Sequence, residues 1–182
     1  MLHTELTEYL GIRFPILGAP MAGVAHGRLA RAVTEAGGLG MIGVGSTDGV
    51  DLVGREAAVA SDANRLPFGI GLMAWALERR PELLEATIAA RPTLVSVSFG
   101  SLAAYVGPLH DVGIVVASQA QDLPTAITAV GAPGAANLRI EPVQQARATG
   151  PAALFDLTDD QLRVFRHGQV LSHGVVVETD AG

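Results

Sequence analysis

The residues of this chain best suited to hold a ligand lie in the string Gly18-Ala19-Pro20-Met21-Ala22-Gly23, which follows a short apolar run at residues 14–17. Small residues at the end of a strand let backbone amides approach a flat ligand. Proline fixes the local path, and methionine offers a soft, polarizable surface. Four further loops follow apolar runs, at residues 45–47, 73–75, 98–101 and 118–121, and they are rich in Gly, Ala, Ser and Gln rather than in acids or histidine. This composition suits a large, uncharged or anionic ligand better than a metal ion. Taken alone, the 18–23 string is also an ordinary strand-to-helix turn, so its context must decide.

Other residues carry weaker signals. Gly38-Leu39-Gly40-Met41-Ile42-Gly43 has the spacing of a dinucleotide fingerprint, but a helix precedes the glycines and the strand lies within them, the reverse of what phosphate binding requires. Close packing at a helix-to-strand turn is the expected role. Ser96 and Ser98 either face a site or satisfy backbone groups at a strand end, and Gln119 is either a ligand partner or a solvated loop residue. His110 sits near a helix end, where a dipole-favoured surface position is expected.

Composition excludes much chemistry. The chain has no cysteine, and its twelve basic residues are all arginine, so thiolate, Cys-zinc, Schiff-base and P-loop lysine chemistry are ruled out for this chain alone. A net charge of −6 with scattered arginines argues against nucleic acid. No apolar run approaches the roughly 20 residues of a membrane span, and the start lacks signal-peptide character. A cytoplasmic protein without membrane or nucleic-acid partners, acting on a small-molecule substrate, is expected.

The elements that must position these residues follow from periodicity. Thr4 caps a first helix bearing Leu6, Tyr9 and Leu10, and strands are expected at residues 14–17, 39–44, 67–73, 94–98 and 114–117. Between them lie a helix with Leu29, Val33 and Ala36 on one face and a second at about residues 50–60. A third opens at Pro81 with Leu84 and Ile88 buried, and a fourth carries Leu102, Tyr105, Val106 and Leu109. A helix from Asp122 follows the fifth strand. The strands are continuously apolar, as a parallel sheet covered on both faces requires, so the loops that follow them converge on one rim. The fold class is therefore α/β, with about five βα units over residues 1–131 and a divergent segment at 132–182. In that segment a strand is expected near residues 137–140, a capping box at Thr158-Asp159-Asp160-Gln161, and a strand at 170–177.

Over residues 6–131 the sequence resembles the nitronate monooxygenase family, formerly the 2-nitropropane dioxygenases. The resemblance rests on six strings in order: Leu10 to Ile16, Ala19 to Gly23, Ala36 to Gly40, Pro67 to Met73, Val95 to Gly100 and Val116 to Gln119. FMN-dependent enoyl-acyl carrier protein reductases share much of this pattern. The resemblance implies a partial (β/α)8 TIM-type barrel with FMN at the C-terminal strand ends and an activity that oxidises alkyl nitronates with O2. Carried over position by position, Ala19, Pro20, Met21 and Ala22 would lie along the flavin, Gly71 would stand where relatives place a polar flavin contact, and Gln119 would occupy a polar partner's place.

The family's glycine-rich phosphate loops and its catalytic histidine stretch have no counterpart here, and no catalytic residue is assigned. His3, His26, His110, His167 and His173 offer no substitute at an equivalent position. A standard barrel needs about 250 residues, so this chain is expected not to close one, and its unpaired edge is expected to favour self-association unless the 170–177 strand covers it. Two alternatives stay open: a catalytically inactive, truncated half-barrel, and an enoyl-reductase-like protein. A doubly wound nucleotide-binding sheet is a third reading, one that needs a non-sequential strand order.

Overall fold

The computed structural model describes residues 4–63, 65–120, 138–142 and 175–179. The chain begins with α1 (Glu5–Leu10), where Thr7 N–H donates to Thr4 Oγ1 at 3.2 Å and Thr7 Oγ1 accepts from Thr4 N–H at 2.9 Å, a reciprocal cap. Gly11, at φ 64°, ends the helix. The expected first strand at residues 14–17 is reduced to a single parallel bridge between Leu17 and Leu39. Pro15 has no N–H to donate, and Ile16 N–H turns back to Phe14 O at 2.7 Å, so the segment bends where a ladder would need it extended.

The remaining elements are α2 (Gly27–Glu35), β1 (Met41–Gly43), α3 (Val50–Ser61), β2 (Gly69–Met73), α4 (Ala74–Arg79), α5 (Glu82–Ala90), β3 (Leu94–Ser98), α6 (Val106–His110), β4 (Val115–Ala120), β5 (Leu138–Pro142) and β6 (Val175–Thr179). The loop expected at residues 73–75 is absent, because α4 starts directly at Ala74. The helix expected from Leu102 is shorter, with Leu102 and Tyr105 in the turn that leads into α6. On α5 the deepest residues are Leu83 and Thr87, while Leu84 and Ile88 pack partly buried against the core.

The helix at α2 corrects the expected stripe. Its buried residues are Gly27, Ala30 and Thr34, whereas Leu29 is 48% exposed. Only the small face can approach the neighbouring backbone: a Cβ on Gly27 would overlap Glu56 O, and one on Gly40 would overlap the Ala30 backbone. Gly27 N–H then donates to Glu56 Oε2 at 2.8 Å, tying α2 to α3. The glycines at 38–43 thus serve close packing.

The sheet order is β1-β2-β3-β4-β6-β5, with β1 to β4 parallel and sequential and both β6 pairings antiparallel. The first four strands show no reversal of order, so the doubly wound reading falls. β6 pairs along β4 from Val116↔Thr179 to Ala120↔Val175, so a C-terminal strand does cover that edge. β5, expected near residues 137–140, lies outside β6 and does not continue the parallel run. The expected helix from Asp122, the capping box at 158–161 and residues 170–174 of the expected C-terminal strand lie outside the described residues.

The two faces of the parallel strands differ. Ile42, Val44, Ile70, Leu72, Val95, Val97 and Val116 pack under the helices with Val53, Ala57 and Leu83. Each large side chain buried there stabilises the fold by about 1.5–3 kcal/mol. The opposite, barrel-interior face carries Leu39, Met41, Leu94 and Val115 near the strand starts, closed by Leu10 and Ile12. No helix among the described residues is long and apolar enough to cross a membrane.

Candidate ligand-binding rim

Partway toward the C-terminal ends of the strands, one row of the interior face carries only small residues, and Met73 stands beside Ser98 in the next row. The register row Gly43↔Gly71, Gly71↔Ser96 and Ser96↔Ala117 crosses all four parallel strands, and Ser98 and Gln119 stand two residues further along. At about 4.8 Å per strand, Gly71 and Ala117 are about 10 Å apart. None of these residues ionises near neutral pH, so this part of the rim offers hydrogen bonds and close backbone without charge.

The 18–25 loop is laid onto this row. Pro20 sits where a Gly71 side chain would project, so that an added Cβ would overlap its Cβ and Cγ, and the Met21 backbone occupies the corresponding place over Gly43. Both positions must therefore be glycine. Gly18 N–H donates to Leu39 O at 2.8 Å, Ala25 N–H to Met21 O at 2.8 Å and Gly43 N–H to Ala25 O at 2.9 Å, anchoring the loop at both ends. Ala22 lies against Gly45, 3.3 Å from where a Cβ would stand. Ala19, Met21 and Ala22 are exposed and Pro20 is half-buried.

The next loop is braced by two side chains that the sequence reading did not single out. Asp48 Oδ2 accepts from Gly45 N–H at 2.7 Å, and Arg80 Nη1 donates to Asp48 O at 2.6 Å and Ser46 O at 3.3 Å. Arg80 also pairs with Glu82 at 2.9 Å, and a hydrogen bond from Glu82's own backbone, with the one from Arg80 adding to it, holds the Glu82 carboxyl below its usual range. The Gly-x-x-Asp spacing of 45–48 could have signalled the first contact. Nothing local links Arg80 to a loop more than thirty residues away.

At the end of β3, buried Ser98 accepts from Gln119 N–H at 3.2 Å and lies 3.4 Å from Ser96 Oγ. Backbone pairing between β3 and β4 stops at Ser96↔Ala117, so the Ser98 hydroxyl takes over where the ladder ends. Phe99 follows at φ 62° and Gly100 at φ 155°. Tyr105 O–H donates to Ala74 O at 3.3 Å behind this turn, and burial, with Glu78 adding to it, raises the phenol above its ordinary value.

The structure thus brings Ala19, Pro20, Met21, Ala22 and Gly71 into one contiguous patch and places half-buried Gln119 on the same rim, two strands from Gly71. His26 precedes α2 as its N-cap and His110 lies in the last turn of α6, neither in the inner rows. His3, His167 and His173 lie outside the described residues.

Sequential parallel βα units with a small-residue loop seated on the C-terminal strand ends define a partial TIM-type barrel. The family model described as nitronate monooxygenase matches residues 3–132, and the chain belongs to this family of oxidoreductase enzymes. A nitronate monooxygenase of Paraburkholderia phytofirmans is 42% identical over 85 residues, which is 46% of this chain and 21% of that protein. A probable nitronate monooxygenase of Staphylococcus saprophyticus is 35% identical over 71 residues, 39% of this chain and 20% of that one. The matches thus span about a fifth of these curated relatives.

Among solved structures, FabK from Thermotoga maritima superposes with a TM-score of 0.64 at 28% identity, covering 72% of this chain and 42% of that one. Nitroalkane oxidase from Streptomyces ansochromogenes gives 0.56 at 25% identity, covering 71% and 46%. The enoyl reductase domain of MlnA from Bacillus amyloliquefaciens, at 15% identity and a TM-score of 0.61, shares the fold.

Proposed function

We propose that residues 1–131 form the flavin-ring side of an FMN-dependent oxidoreductase site that acts on alkyl nitronates with O2. The observation that carries this reading is the pair of interior glycines, Gly43 and Gly71, with the Met21 backbone and the Pro20 ring lodged against them. This leaves a flat, uncharged rim flanked by Ser96, Ser98 and Gln119, which fits the ring portion of a flavin. When bound, FMN supplies the electron-transfer chemistry. Pro20 and Met21 would support the ring, and exposed Ala19 and Ala22 would leave room for it. Gln119, held through its backbone by Ser98, would orient a polar edge. Gly71 gives up any side-chain hydrogen bond because Pro20 fills its place.

Purified protein mixed with FMN tests the reading by its visible spectrum. Retained yellow protein with a perturbed flavin band is expected, and a colourless preparation that takes up no FMN overturns it. A second reading, a non-catalytic half-barrel, is favoured by β6, whose antiparallel strand occupies the β4 edge that a barrel's next parallel strand would use. Nitrite release from propyl-2-nitronate that depends on FMN would defeat this alternative. An enoyl-reductase-like activity, suggested by the likeness to FabK, is separated from both by assaying enoyl thioester reduction.

A further inference from the structure

Phe99 stands at φ 62°, a left-handed conformation in which its Cβ crowds the backbone, and the residue is 58% exposed. Neither backbone preference nor burial accounts for phenylalanine here, since glycine or asparagine meets such a turn with less strain. The turn itself is imposed from both sides. Ser98 is pinned by the Gln119 N–H, and Gly100 is pressed against α4 so closely that a Cβ on it would lie 2.6 Å from Ala74 Cβ and 3.8 Å from Trp75 N. Strain held at such a position is characteristic of sites where the side chain has a task.

From this geometry we infer that Phe99 is a specificity-determining residue, an aromatic wall at the rim that packs the hydrocarbon tail of the organic substrate. The inference rests on the flavin reading above and deepens it. Ser96, Ser98 and Gln119 offer hydrogen bonds to a compact polar head, and Phe99, with exposed Trp75 in the first turn of α4 and exposed Met21 on the 18–25 loop, offers apolar surface. A substrate with a small polar group and an alkyl chain of several carbons matches both halves.

The test uses the full chain, isotopically labelled, titrated with nitroethane and with 1-nitrohexane while the Phe99 and Gly100 amide signals are followed, with and without FMN. The longer probe is expected to bind on the order of tenfold tighter, about twofold for each of its half-buried extra methylenes. Phe99→Ala and Phe99→Gly should abolish that preference, and Phe99→Tyr should keep it. Phe99→Gly should also melt about 2–4 °C above Phe99→Ala, because glycine alone escapes the left-handed strain. A chain-length preference that survives in Phe99→Gly, or equal affinity for both probes in the parent protein, overturns the inference. Flavin uptake without tail preference removes this inference alone. Tail preference without flavin uptake sustains the Phe99 contact and removes the flavin reading.

Discussion

Replacing Gly71 with alanine isolates the contact on which the rim is built. Gly71 lies in β2 without a positive φ, so the backbone accepts alanine and the effect comes from packing. The new methyl would overlap the Pro20 ring, and ordinary carbon–carbon contact of about 3.5–4.0 Å requires the loop to lift by about 1 Å or more. The loop is held at Gly18, Met21 and Ala25 by backbone hydrogen bonds, so it resists. Overpacking of this kind costs about 1–3 kcal/mol, which lowers the melting temperature by about 2–4 °C per kcal/mol in a chain of this size. Pro20→Gly removes the ring, and its effect on the unfolded chain is common to both arms of a double-mutant cycle. Gly71→Ala should therefore be nearly silent in the Pro20→Gly background, giving a coupling of about 1–2 kcal/mol by chemical denaturation. Additivity within about 0.5 kcal/mol would refute the claim that Pro20 seats on Gly71.

Three further outcomes follow from the same contacts. Ser98→Ala leaves the Gln119 N–H without its acceptor, so stability should fall by about 1–3 kcal/mol and the Gln119 amide should exchange faster; unchanged exchange would remove the staple between β3 and β4. Arg80→Met releases the Ser46 and Asp48 carbonyls and should raise hydrogen exchange across residues 45–49 while β1 stays protected; equal protection in both proteins would show that Asp48 alone holds the loop. Because burial raises the Tyr105 phenol, its contribution to stability is present below the ordinary tyrosine value of 10.0 and is lost as pH rises through the higher folded value. Tyr105→Phe should flatten the alkaline arm of a stability–pH curve, and an unaltered arm would assign that loss to other groups.

Local patterns made much of this fold legible. β3 was expected at residues 94–98 and lies at Leu94–Ser98, because β-branched residues there are bracketed by Pro92 and Gly100. Thr4 was expected as a cap and is one. Where the reading failed, contacts distant in sequence overrode local signals. Leu29 and Val33 look like a helix's buried stripe, yet α2 turns its small face inward because α3 and Gly40 approach too closely for anything larger. Residues 14–17 look like a strand, but Pro15 breaks the donor pattern and leaves a single bridge.

The site divides in the same way. The string at 18–23 marked itself by composition, but Gly71 registered only as a missing polar contact. Its reason, the Pro20 ring in the place of a side chain, lies fifty residues earlier in the chain.

Period, capping and turn residues are properties of neighbours along the chain, so the sequence alone determined the alternation of helices and parallel strands, the absence of cysteine and lysine chemistry, and the loops that gather at one rim. Which glycines had to be glycine, which face of α2 turned inward, what covered the β4 edge and where Phe99 came to stand were decided only by tertiary structure. Each depends on two segments meeting in space, by close packing or by strand pairing, and no local window of sequence contains both.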